Sequence, residues 1–255
     1  MLCTIEPAWG AVAKTLHGSI MLCATSFLLA AAAVEAVVPG DAQVEPHRPH
    51  DELPHEFYAA AAARGAPVYR IDTLASQVLI FVYRAGLLAR LGHDHVVASH
   101  DVTGYILWAD APDVARADLH VPLATLTVDE AELRAAAGFE TVPSDDDIAG
   151  TRDNMLASID AAAFPVLRVL ITRQAAGSGD PSAVTLHAEV TLHGVSHSFP
   201  VTVELERDAD RLRVSGSFDV LQSDFGIRPF SVFGGALAVR DRLDIRFSLE
   251  GRRTR

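Results

Sequence analysis

Four residues in one short stretch have the types and spacing for chemistry: His93, Asp94, His95 and His100. Histidines at i and i+2 of an extended chain point the same way. Neutral imidazoles so placed suit zinc, copper or iron, with Asp94 or Asp101 as a further ligand. No third ligand stands at a fixed spacing, so two other readings stay open. The stretch is a polar loop whose histidines hydrogen-bond backbone, or it is a polar rim that touches the head group of a ligand. Other candidates fit their chemistry less well. Ser196, in Gly194-Val-Ser-His-Ser198, lacks the closing glycine of a nucleophile elbow and joins two strands, where that motif joins a strand to a helix. Asp145, Asp146 and Asp147 lack EF-hand spacing and read as a solvated acidic turn. Arg152 and Asp153 are adjacent on an expected helix, where neighbours do not face each other. His187, His193 and His197 fall on outward or turn positions.

Composition narrows the classes further. The 255 residues are 49% hydrophobic, enough for a sizeable core. Net charge is −12, from 21 basic and 33 acidic residues. That balance argues against a nucleic-acid surface, which needs a basic stripe, and against simple adsorption on anionic lipid. Both cysteines, Cys3 and Cys23, and the sole lysine, Lys14, lie near the N-terminus. Removing that segment leaves no thiolate nucleophile, Cys-ligated metal, Schiff-base lysine or disulfide.

The N-terminal segment reads as an export signal. Gly18 to Val34 is uncharged and mostly apolar, Lys14 precedes it, and Val34-Glu35-Ala36 supplies small residues for cleavage. Gly40-Asp41-Ala42 is a second option. The competing reading is a single membrane anchor, but the apolar run is short of the roughly 20 residues a span needs. Residues 1–36 are therefore expected to be a signal peptide, and the mature protein to be periplasmic or extracellular without a stable transmembrane anchor. Residues 37–66, with Pro39, Pro46, Pro49 and Pro54, read as a Pro/His-rich flexible linker, although the alanine run from Glu56 to Arg64 suits a helical turn or two. The folded domain is expected over 67–251, followed by a tail at 252–255.

The elements that must position these residues are strands. From Val184 to Leu192 the even positions are apolar; after His193-Gly194 the odd positions take over at Phe199, Val201, Val203 and Leu205. Period two means a strand with one buried face. A phase change across a Gly-containing link keeps both apolar faces of a hairpin on one side. The pattern recurs at Leu212–Val220 and Leu237–Leu249. Gln77–Tyr83 is apolar on both faces, so it should be covered on both. Val96–Trp108, Ala117–Val121 and Phe164–Thr172 read as further strands, with Pro165 at a strand start or edge. Leu126–Ala137 and Asp147–Ser158 read as helices.

Five motifs in order then carry a resemblance: Gly92-His-Asp-His95, Thr151-Arg-Asp-Asn-Met-Leu156, Ala163-Phe-Pro165, Leu192-His-Gly-Val195 and Ser223-Asp-Phe-Gly-Ile227. With Tyr69-Arg-Ile-Asp72 before them, they resemble the YceI family of bacterial, often periplasmic proteins. The resemblance spans Pro67 to Gly251. It implies a mainly β fold, an antiparallel lipocalin-like barrel of about eight strands with one or two short helices. It also implies a long apolar ligand, a polyisoprenoid or quinone-like lipid, held by a protein that catalyses nothing.

The residues expected to line the barrel are Leu186, Ala188, Val190, Val201, Val203, Phe218, Val220, Leu243, Ile245 and Phe247. The pattern alone fits a ligand tunnel and a filled core equally, since both need these residues. His93, Asp94, His95 and His100 stand as barrel-mouth polar groups or metal ligands. The alternative function is a metal- or haem-linked redox accessory using His93, His95 and His100. An unpaired edge strand would support a homodimer.

Overall fold

The computed structural model describes residues 52–108, 115–173 and 183–254. The expected signal peptide, most of the expected linker and the loop at Ala175–Pro181 lie outside them.

Eight antiparallel staves close into a barrel. Three of them are broken strands. The first is β1 (Val68–Ile71) continued by β2 (Gln77–Ala85), the second β3 (His95–Ser99) continued by β4 (Thr103–Leu107), and the third β5 (Arg116–Pro122) continued by β6 (Thr127–Val128). The other five are β7 (Val166–Arg173), β8 (Ala183–Leu192), β9 (Val195–Arg207), β10 (Arg211–Leu221) and β12 (Leu237–Arg253). A two-residue strand, β11 (Ser231–Val232), pairs with the start of β12. The ring closes where β12 pairs with β10 on one side and with β2 and β1 on the other. Consecutive staves are therefore neighbours throughout.

The register follows from the apolar period. Leu186 lies opposite Val201, Ala188 opposite Phe199 and Phe218 opposite Ile245, so each cross-strand pair presents two apolar side chains to one face. The β8–β9 phase change is a two-residue hairpin. His193 (φ 53) and Gly194 (φ 74) are both left-handed, as a type I′ turn requires. Pro165 sits just before β7. Both faces of β2 are covered: outside, the Phe81 ring meets Phe139 edge-on at 6.4 Å and lies under the Arg246 guanidinium at 4.7 Å.

Among the described residues three short α-helices accompany the barrel, the first over the alanine run that suits a helical turn or two. The first, α1 (His55–Ala63), buries Tyr58 and Ala61 against Val68 and Leu107. Tyr58 stacks on Tyr105 and donates a hydrogen bond to Asp118 at 2.5 Å. Residues 55–63, placed in the expected flexible linker, thus form a helix packed on the barrel's outer face. The second, α2 (Ala131–Ala137), begins later than expected, because Thr127 and Val128 pair with Ala98 and Val97. It ends on left-handed Gly138. The third, α3 (Asp145–Ser158), starts with a capping box in which Ser144 and Asp147 satisfy each other's backbone. Arg252 and Arg253, placed in the expected tail at 252–255, belong to β12.

Candidate functional site

The inward side chains do not fill the barrel. They enclose a cavity of about 400 Å³. All ten positions expected to face inward are on its wall: Leu186, Ala188 and Val190 of β8, Val201 and Val203 of β9, Phe218 and Val220 of β10, and Leu243, Ile245 and Phe247 of β12. The sequence reading did not place four further contributors. Met155 and Ile159, on and just after α3, close over the cavity, Phe225 adds a ring from the turn after β10, and Trp108 follows β4. One backbone feature makes room inside. A Cβ on Gly216 would lie 3.0 Å from the Phe247 ring and 3.0 Å from the Thr202 carbonyl, so any larger residue there would have to push one of them back.

Density varies along the barrel. Near the β9–β10 hairpin the interior is filled: Leu212 is fully buried and Tyr69 almost so, and neither lines the cavity. Toward the α3 end the β9–β10 ladder stops at Val203–Gly216. Beyond it the Phe199 and Phe218 rings approach to 5.3 Å inside the barrel.

Polar side chains on the wall are few, and one of them belongs to a buried charged network. His95 begins β3, pairs with Val82 of β2 and lines the cavity. Its Nδ1 lies 2.6 Å from Oδ2 of Asp129. Asp129 has left-handed backbone (φ 57) and turns its carboxylate back onto β3, where Oδ1 accepts from the Val96 amide and from Arg134 of α2 at 2.6 Å. Arg134 also donates to the carbonyls of Asp94 and Thr141 and to the Thr141 hydroxyl. The Asp129 and Arg134 side chains are 0% and 5% exposed. Burial pushes the Asp129 carboxyl up, but the hydrogen bonds from His95, the Val96 amide and Arg134 outweigh it and hold the group below the usual carboxylate range.

The other polar residues singled out from sequence go elsewhere. Asp94 accepts from the Arg84 amide at 2.9 Å. His100 is on the surface, bonded to Glu130 at 2.8 Å. His93 meets the His95 ring edge-on at 6.1 Å, and its buried Nδ1 has no hydrogen-bond partner among the described residues. His93, His95 and His100 therefore do not converge. Among the described residues no three His, Cys, Asp or Glu side chains come together to hold a metal ion. His197, read as an outward or turn position, shares the face of Phe199 and Val201 opposite Val190 and lies 6.0 Å from the Phe225 ring, while its side chain stays 41% exposed beside Asp224. Asp129 and Arg134 were missed. Their signal in the sequence is slight: an aspartate able to adopt left-handed backbone, just before an alanine-rich helix.

Comparison with known proteins bears on this architecture. A model of the YceI-like domain matches residues 69–251. The chain belongs to the YceI family. Its fold is that of a binding-protein barrel. The crystal structure of Burkholderia cenocepacia BcnA superposes with a TM-score of 0.52 at 14% identity, covering 71% of this chain and 98% of that one. A Campylobacter jejuni YCEI protein gives 0.43 at 16% identity, covering 62% and 85%. No curated protein matches the chain. Among the described residues no helix is long and apolar enough to cross a membrane.

Proposed function

We propose that this YceI-family protein binds a long apolar lipid, polyisoprenoid or quinone-like, inside its barrel, and carries or sequesters it in the cell envelope without catalysing a reaction. The observation that carries this reading is the closed barrel around an apolar cavity of about 400 Å³, within the range of about 300–1,000 Å³ usual for ligand pockets. An apolar chain in such a space is held by its removal from water, worth about 25 cal/mol per Å² of apolar surface. Few polar contacts are needed, and the wall offers few. His95 stands at the α3 end as a contact for a more polar head.

The N-terminal apolar run supports export, and with it an envelope location. Among the described residues around His95 no nucleophile stands with a free base: the imidazole is tied to Asp129, and Ser99, four residues along β3, is a buried acceptor for the Asp101 amide.

Purification from the native host, followed by organic extraction and mass spectrometry, tests the proposal. An isoprenoid or quinone-like lipid at one per chain is the expected result. Extracts empty of lipid from several preparations, with a stoichiometric metal or haem in its place, would overturn it in favour of the redox-accessory reading.

A further inference from the structure

We propose that the barrel selects guests whose apolar chain ends in a hydroxyl, such as a prenol or a quinol, over guests whose head only accepts hydrogen bonds, such as an aldehyde or a quinone. The proposal rests on the carrier reading above and deepens it at one residue, His95.

The argument runs from hydrogen positions. A carboxylate only accepts hydrogen bonds. Asp129 is held as a carboxylate by Arg134 and by the Val96 amide, and its Oδ2 lies 2.6 Å from His95 Nδ1. The hydrogen therefore sits on Nδ1. A neutral imidazole with its hydrogen on Nδ1 has a bare lone pair on Nε2. Asp129 already has Arg134 as its counter-charge, and the one hydrogen that the network asks of the ring is the one on Nδ1. His95 lines the cavity, and its one side-chain hydrogen bond among the described residues is made by Nδ1, which leaves Nε2 unbonded. The cavity wall thus carries an acceptor. A hydroxyl satisfies it; a carbonyl sets two acceptors against each other and leaves both desolvated. Asp129 touches no guest. It is a positioning residue that fixes which ring nitrogen bears the hydrogen.

That role predicts a reversal. In Asp129→Asn the amide oxygen still accepts from Arg134 and Val96, while the amide nitrogen donates to His95 Nδ1. The ring hydrogen moves to Nε2, and the wall becomes a donor. Asparagine also tolerates left-handed backbone, so the turn is kept.

The test uses the purified, delipidated full chain and two probes with the same twenty-carbon chain, geranylgeraniol and geranylgeranial. Affinity is read by displacement of N-phenyl-1-naphthylamine. The wild type is expected to favour the alcohol by about tenfold, the scale of one net hydrogen bond. His95→Leu is expected to bind both alike, and Asp129→Asn to favour the aldehyde. Nitrogen-15 spectra of the wild-type histidines give an independent readout, with an unprotonated Nε2 expected for His95. Equal affinities in the wild type, or a protonated Nε2 with bare Nδ1, would overturn the proposal and leave the carrier reading intact. Binding of neither probe would overturn both. Should Asp129→Asn fail to fold, the wild-type preference, its loss in His95→Leu and the spectra still decide.

Discussion

The barrel wall and the corner where β3 meets α2 handle burial in opposite ways. On the wall, Val190, Val201 and Ile245 need only apolar neighbours, and they leave a hollow. At the corner, Asp129 and Arg134 are as deeply buried, but every partner is specified: Asp129 binds His95, Val96 and Arg134, and Arg134 also binds Asp94 and Thr141. Apolar burial is non-directional and tolerates rearrangement, whereas a buried ion pair depends on each member. The wall can therefore adapt to a guest while the corner holds His95 fixed, giving one protein a permissive chain site and a strict head site.

The largest way to break this contrast is at the corner. Arg134→Ala leaves the Asp129 carboxylate buried without its counter-charge and is expected to cost about 3–5 kcal/mol, read by urea unfolding. A cost near zero would mean that water replaces the guanidinium and the corner is not dry.

Within the wall, the filled and hollow ends can be compared directly. Leu212→Ala, at the fully buried end, is expected to cost about 2–5 kcal/mol through lost burial and a new cavity. Leu243→Ala, beside the existing cavity, should cost less than about 2 kcal/mol, because part of that side chain already lacks partners. Equal costs would show that the interior is packed uniformly.

The smallest effect is expected in acid. The Asp129 carboxyl titrates below its ordinary 3.8 in the folded protein. The unfolded chain therefore takes up this proton first. The stabilisation is complete above 3.8 and is lost as pH falls through the lower, folded value. Asp129→Asn should flatten that part of the stability–pH curve, and an unchanged slope would assign acid sensitivity to other carboxylates.

The contrast also explains what could be read from sequence. Strand phase is local, so the wall was legible: Val184–Leu192 and Phe199–Leu205 alternate because one face is wet, and the register of β8 with β9 follows from the turn at His193-Gly194. Whether the interior is hollow was not legible, since a filled core and a tunnel use the same residues. The corner was half legible. His95 stood out, but its partner Asp129 is 34 residues away, and no local period links them. His93 and His100 carried the same local signal as His95, yet His100 bonds Glu130 on the surface and the buried His93 Nδ1 has no hydrogen-bond partner among the described residues. Tyr58 was hidden in an alanine-rich, proline-flanked stretch; its burial depends on Tyr105 and Asp118, far along the chain.

The central claim is that the barrel holds one apolar chain in its cavity. Native mass spectrometry of the delipidated full chain with geranylgeraniol, wild type beside Ala188→Trp, tests it most directly. Ala188 lies on the cavity wall in mid-β8, where an indole would occupy the hollow. A single adduct per chain in the wild type, absent from a variant that remains folded, is the predicted result. No adduct in the wild type, or an equal adduct in the variant, would contradict it.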